Sequence, residues 1–349
     1  MAIASILCAC GGGSDSSTGN NVSENDAPTI SISASNTDIR PGTQVDFSII
    51  TSDDNMVTEV TCDFDGDGNF ENDITGNQQY SYMYSTTGAF SVSCQATDND
   101  NLLSISNSIA ILVGYQPGDI VKTIPYPANI SGISDIFYDD SSNSLLVFAY
   151  DVLSNWQVTK IIQINASSGD VTNSTSISNP DFFMNHASEF TKGGNFYYGT
   201  SYGLSNGVPQ SLIYKIDLSG IIVSTFPCPL GGLGGYCEGI TWDGQFLWSG
   251  SSDSKNLSQF ATDGSIQITL SNVWDSIAIK DLSYDKATNQ LIVNKDSTYP
   301  RSLFRIDPSS GVIINSVPLN ISEKGDWDGQ LWWSINSQNQ LIEGIYVGN

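Results

Sequence analysis

Five copies of one short pattern fill residues 119 to 349 of this chain and constrain its fold more than any other feature. The clearest copy is Glu238-Gly239-Ile240-Thr241-Trp242-Asp243-Gly244-Gln245-Phe246-Leu247-Trp248. An acidic or small residue leads an apolar-x-aromatic-Asp step, then a turn and a second apolar strand. The step recurs as Asp135-Ile136-Phe137-Tyr138-Asp139 and Asp281-Leu282-Ser283-Tyr284-Asp285, with degraded copies from Glu189 to Gly194 and from Gly325 to Gly329. Successive copies, marked by Tyr138, Lys192, Trp242, Tyr284 and Trp327, are roughly 42 to 54 residues apart, the blade period of a β-propeller.

Each copy reads as four strands. In the third these are Glu238–Trp242, Phe246–Ser249, Leu257–Ala261 and Ser265–Leu270, with tight turns at Asp243-Gly244 and Asp263-Gly264. The last copy stops one strand short. Asp119–Pro125, which precedes the first copy, is the segment able to complete it, so the chain's two ends would pair and close the ring. Five blades fit in about 231 residues, and a sixth does not.

Residues 27–114 read as a separate unit of six strands at sandwich spacing: Pro28–Ser33, Val45–Ile50, Val57–Asp63, Gln79–Tyr84, Ala89–Thr97 and Ile105–Val113. The expected architecture is all-β: a sandwich, a linker over 115–118 and a propeller over 119–349. Asp63-Phe64-Asp65-Gly66-Asp67-Gly68, the run from Tyr82 to Val92 and Ala96-Thr97-Asp98-Asn99-Asp100-Asn101 together resemble the polycystic-kidney-disease-type (PKD) domain. That resemblance implies an immunoglobulin-like sandwich serving as spacer or interaction module. Cys62 occupies the family's usual core tryptophan position, and Cys94 shares a strand face with Val92 and Ala96, so a Cys62–Cys94 disulfide is expected in place of that aromatic. Such a bond fits export to an oxidising compartment. Cys228 and Cys237 flank a Gly-rich loop and are expected to pair; no nearby His completes a metal site.

Asp63, Asp65, Asp67, Asn69 and Glu71 alternate like the oxygen ligands of a calcium loop, with Gly68 at the turn. The twelfth position, where a bidentate Glu belongs, is Ile74, and the same run serves the PKD family as an ordinary strand-to-turn element. Both readings stay open, and calcium is the one cofactor the sequence suggests.

The N-terminal run from Met1 to Ser17 resembles a bacterial lipoprotein signal, with Leu7-Cys8-Ala9-Cys10 as lipobox. The resemblance implies a signal segment over 1–10, lipidation of Cys10 and a Gly/Ser tether over 11–26. With Gly11 after the cysteine it also implies an outer-membrane lipoprotein facing the periplasm or the cell surface. No Lys or Arg precedes the apolar run, which leaves the start codon open. The formal net charge of −25, with only 12 Lys and Arg, excludes a nucleic-acid partner, because phosphate neutralisation needs basic residues.

Ligands of propellers usually sit at an axial mouth; the loops arriving at the start of the inner strands carry Phe182 and His186, Tyr236 and Trp274, and a second strand-connecting loop on the same face adds Arg301. Aromatic bodies with scattered polar tips suit a sugar or a peptide, or else cover blade junctions. Asp135, Glu189 and Asp281 align in one column at that end. Glu238 falls one residue early, and the last copy offers Glu323 or Asp326. These acids could ring the channel or simply cap turns. His186 is the chain's one histidine, and no serine stands in a nucleophile elbow. The wording from Glu238 to Gly244 resembles the five-bladed glutamine cyclotransferase-type propellers, which implies that Glu238, with Glu189 and Asp281, would act on an N-terminal glutamine. Carboxylate-based glycan hydrolysis is a second enzymatic alternative. The expectation adopted is a lipid-anchored surface protein whose propeller binds a glycan or peptide without turnover. An enzyme, or a scaffold subunit working through its sandwich, are the competing classes.

Overall fold

The computed structural model of the protein describes residues 25–150, 158–178, 189–205, 208–230, 237–251, 255–273, 279–295, 302–319 and 324–348. The chain divides into two compact units, 1–114 and 115–349. Every regular element among the described residues is a strand.

The first unit is a β-sandwich of two sheets. Thr29–Ala34, Thr43–Ser52 and Gln79–Tyr84 form one sheet; Asp38–Ile39, Ile109–Val113, Gly88–Asp98, Val57–Asp63 and Asn72–Asp73 form the other, with Leu103–Ile105 added on Gly88–Asp98. Period-two alternation builds the core: Val45, Phe47 and Ile49 are buried while Gln44, Asp46 and Ser48 between them stay accessible. The strand expected over Ile105–Val113 is broken in two. Asn107 interrupts it by accepting a hydrogen bond from the Ile32 N–H and donating one to the Ile32 carbonyl, tying one sheet to the other. Cys62 and Cys94 lie directly opposite each other on neighbouring strands, both fully buried, and are joined by a disulfide. The aromatic core has moved to Phe64, whose ring stacks on Tyr80 at 4.8 Å, while the Tyr84 hydroxyl donates to the Phe64 carbonyl.

The second unit is a propeller of five four-stranded antiparallel sheets. Its inner strands are Gly132–Asp139, Phe190–Gly193, Cys237–Trp242, Ile279–Asp285 and Gly325–Trp327, in blades one to five. Ile120–Pro125 pairs with Leu341–Tyr346 as the outer strand of blade five, so the ring closes by joining chain start to chain end. Apolar clusters fill the spaces between neighbouring sheets, as where Ile136 and Val147 of blade one meet Trp333 and Ile335 of blade five.

The repeated Asp explains the pattern. In blade three, Asp243 Oδ1 accepts the N–H groups of Gln245 and Phe246, which closes the turn, and Oδ2 accepts the Trp248 indole N–H and the Gln259 amide. Asp328 does the same for Gln330, Leu331 and the Trp333 indole. One carboxylate thus fixes both the turn and the neighbouring strands. Blade two has Gly193 at this position, and the exchange is steric: a Cβ there would sit 2.7 Å from the Trp242 ring.

Gly239 shows a similar economy. At φ +66, an added Cβ would come within 2.9 Å of the Leu282 backbone nitrogen in the next blade. Gly239→Ala is therefore expected to destabilise the propeller by about 2–4 kcal/mol, from backbone strain plus a clash that cannot relax. A shift of the tryptophan-fluorescence melt below this size would show that the two strands can separate there at little cost.

Candidate functional site

With the repeats in register, one inner-strand column reads Asp135, Glu189, Gly239, Asp281 and Lys324 from blade one to blade five. The three acids are almost completely buried. Each accepts a hydrogen bond from the backbone of the next blade: Asp135 Oδ2 from the Phe190 N–H at 2.5 Å, Glu189 Oε2 from the Gly239 N–H, and Asp281 Oδ2 from the Gly325 N–H at 2.8 Å. The second oxygens of Asp135 and Asp281 accept the N–H of Ile136 and Leu282. At the junction of blades three and four, Gly239 permits close backbone approach instead. At the junction of five and one, Asp326 supplies the bond, accepting the Tyr138 N–H at 2.8 Å.

Burial pushes the Asp135 carboxyl up to about 8, against the lowering field of Lys324, and raises Glu189 too, again against Lys324. Asp281 stands well above the usual carboxylate range through burial and the nearby charges of Asp135 and Glu189. Lys324 is paired with Glu189 at 3.5 Å. The column is thus three acids gathered about a lysine that the sequence alignment had not placed among them. Glu238 is one residue out of register and only partly buried.

The expected loop residues Phe182, His186, Tyr236, Trp274 and Arg301 lie outside the described residues, as do Glu323 and Cys10. Cys228 and Cys237 are joined as expected. In the sandwich, Asp63, Asp65, Asp67 and Glu71 bring carboxylate oxygens within 4.8 Å of one another. Both oxygens of Asp63, however, already accept the N–H groups of Gly66 and Gly68, and the Asn69 N–H and side-chain amide donate to Asp67. The turn is closed by its own backbone.

At the opposite end of the inner strands the repeat residues converge on a depression of about 190 Å³. Tyr138, Lys192, Trp242, Tyr284 and Trp327, the same five positions that mark the repeats, all line it. Tyr138, Trp242 and Tyr284 are half-buried, leaving part of each ring accessible. They also hold blades together: Trp242 stacks on Tyr198 of blade two, and the Arg305 guanidinium of blade four lies 4.8 Å over the Trp327 ring. Lys192 donates to Asp139 at 2.5 Å and Lys286 to Asp140 at 2.9 Å, so the rim is charge-paired. Burial alone would raise Asp139 and Asp285, but the bond from Lys192 lowers the first, and bonds from Thr288 and Arg305 lower the second. Burial pushes Asp326, on the wall, up to about 7 despite bonds from Ser283 and the Tyr138 N–H. The repeat signature was itself the signal for this depression, since five in-register residues at inner-strand ends must meet at the axis.

No protein-family model matches the chain, and no curated protein matches its sequence. Among solved structures it is similar to a glutaminyl cyclase from Myxococcus xanthus, at 11% identity and a TM-score of 0.44, over 66% of this chain and 97% of that one. The PKD domain of an M14-like peptidase from a Thermoplasmatales archaeon is 20% identical at a TM-score of 0.24, over 26% of this chain and all of that one. The PKD1 domain of Vibrio anguillarum Epp is 22% identical at a TM-score of 0.21, with the same coverage of this chain. At these values no site residue is transferred from any of them.

Proposed function

We propose that the propeller is a non-catalytic binding module for a neutral glycan, carried by an exported protein that is tethered to the outer membrane through Cys10. The observation that carries the reading is the convergence of five aromatic rings, Phe137, Tyr138, Trp242, Tyr284 and Trp327, and a charge-paired rim on one axial depression. Ring faces stack on the apolar faces of sugars, while carboxylates and lysines at the edge exchange hydrogen bonds with hydroxyls. The carboxylates of the buried column, by contrast, are occupied in joining blades. Titration of the full chain with an array of neutral oligosaccharides is expected to give saturable binding and no product. Lys286→Ala, at an exposed side chain of the same rim, should weaken binding severalfold without moving the melt, and Trp242→Ala should weaken it at least tenfold. Unchanged affinity in both variants would overturn the assignment.

The raised carboxylates Asp135, Glu189 and Asp281 around Lys324 favour a second reading, an enzyme of the cyclotransferase or glycosidase kind, because perturbed acids gather at catalytic sites. Turnover abolished by Asp281→Asn, in a protein that still melts as wild type, would establish it over the first.

A further inference from the structure

The axial depression does not end at the axis. A second one, of about 370 Å³, runs between blades four and five and shares Asp285, Ala287, Trp327 and Gly329 with the first. A third, of about 290 Å³, runs between blades five and one and shares Tyr138 and Asp328 with it. Neighbouring depressions adjoin at these shared residues and together trace one bent course. It enters along the junction of blades four and five, crosses the axis and leaves along the junction of five and one, wrapping the Asp328-Gly329 turn. The first arm reaches Asn315 on an outer strand, three strand spacings from the inner strand that ends at Asp285. The other reaches Lys122 on the outer strand of blade five and Ser167 of blade one. At ~4.8 Å per strand, three spacings carry each arm roughly 14 Å outward from the inner strand, room for more than one sugar unit.

We infer that the ligand of this face is a linear neutral polysaccharide, held as an extended run of sugar units along the groove; this rests on the glycan reading above. The charge along the groove argues for a neutral chain. Lys122, Lys192, Lys286 and Arg305 line it, four of the 12 basic residues in a chain of net charge −25. They face four carboxylates, Asp140, Asp285, Asp326 and Asp328. The surface is therefore locally balanced, offering neither the positive field a polyanion needs nor the negative field a basic peptide needs.

The test is chain length. The full protein is titrated with gluco-oligosaccharides of β-1,4 and α-1,4 linkage and with β-1,4 manno-oligosaccharides of one to six units. In the series that binds, affinity is expected to rise at least tenfold from one unit to four and then level off. Asn315→Trp and Ser167→Trp, each at an exposed arm position, should reduce the affinity of long oligomers towards that of short ones and leave the short ones unchanged. Equal affinity at every length, with Trp242→Ala still weakening binding at least tenfold, would overturn the groove and leave the axial site standing. Failure of all three series to bind at millimolar concentration would overturn the glycan reading itself.

Discussion

Acidifying the protein from about pH 8 to about pH 5 is expected to raise the stability of the propeller, opposite to the usual effect of acid on a folded protein. The cause is the set of buried inner-strand acids. Asp326 is held at about 7 and Asp135 at about 8, against the ordinary aspartate value of 3.8, and burial is the leading cause of each shift. A carboxyl with a raised folded-state pKa binds its proton more tightly in the fold than in the unfolded chain. Its contribution is therefore complete below about pH 4 and is lost as pH rises through the folded value. Asp139 and Asp285 act the other way: their folded values are lowered, so their contribution is lost as pH falls below about 4. A maximum near pH 4–5 follows. The change is directly readable, because all seven tryptophans lie beyond residue 150 and their fluorescence reports the propeller alone.

Asp326→Asn separates this effect from the general relief of negative charge. The amide keeps an oxygen for the Tyr138 N–H but cannot ionise. A shift from 3.8 to about 7 in a fully buried group corresponds to roughly 2–4 kcal/mol across the titration. At about pH 8 the variant is expected to be more stable than wild type by a large part of that amount, and at about pH 4 nearly to match it. Asp326→Ala, which removes the acceptor as well, should be destabilised at both pH values by about 1–3 kcal/mol. An Asn variant that is less stable than wild type at both pH values would show that the carboxylate is ionised in the fold.

The ring was legible because its signature has a local cause. An Asp that must close a turn with one oxygen and hold an indole or amide with the other tolerates few substitutes, so Asp243 and Asp328 recur visibly. Counting strands also exposed the incomplete last blade and assigned Ile120–Pro125 to it. The acid column was only half legible. Asp135, Glu189 and Asp281 aligned, but blades three and five solve the same junction differently, with a glycine that lets strands touch and with an Asp displaced two residues along. Neither substitution preserves residue type, so no pattern search on carboxylates finds Gly239 or Lys324. The axial depression was missed for another reason. Its lining residues had already been used as repeat markers, and only the closed ring shows that they face one another. In the sandwich, Asn107 broke an expected strand because its side chain bridges to Ile32 some 75 residues away, a contact with no local signature.

Removing the Cys62–Cys94 bond by the double substitution Cys62→Ala/Cys94→Ala is expected to cost the sandwich about 3–4 kcal/mol, the loop-closure entropy for a separation of 32 residues. For a unit of about 90 residues that is a large share of the 5–15 kcal/mol available to a domain, and it lowers the melting temperature by roughly 12–30 °C. The sandwich contains no tryptophan, so its melt is followed as the calorimetric transition that tryptophan fluorescence does not report, while the tryptophan melt of the propeller should not move. Two contributions are mixed in this variant, because alanine removes two buried sulfurs as well as the bond. Reducing a Cys228→Ala/Cys237→Ala protein keeps both sandwich sulfurs in the core and removes their cross-link alone. If covalent restraint dominates, the reduced protein should melt within a few degrees of the double variant. If packing dominates, it should stay near the oxidised protein, and the staple would then be a filler of the space that Phe64, Tyr80, Tyr82 and Tyr84 leave beneath the strand pair.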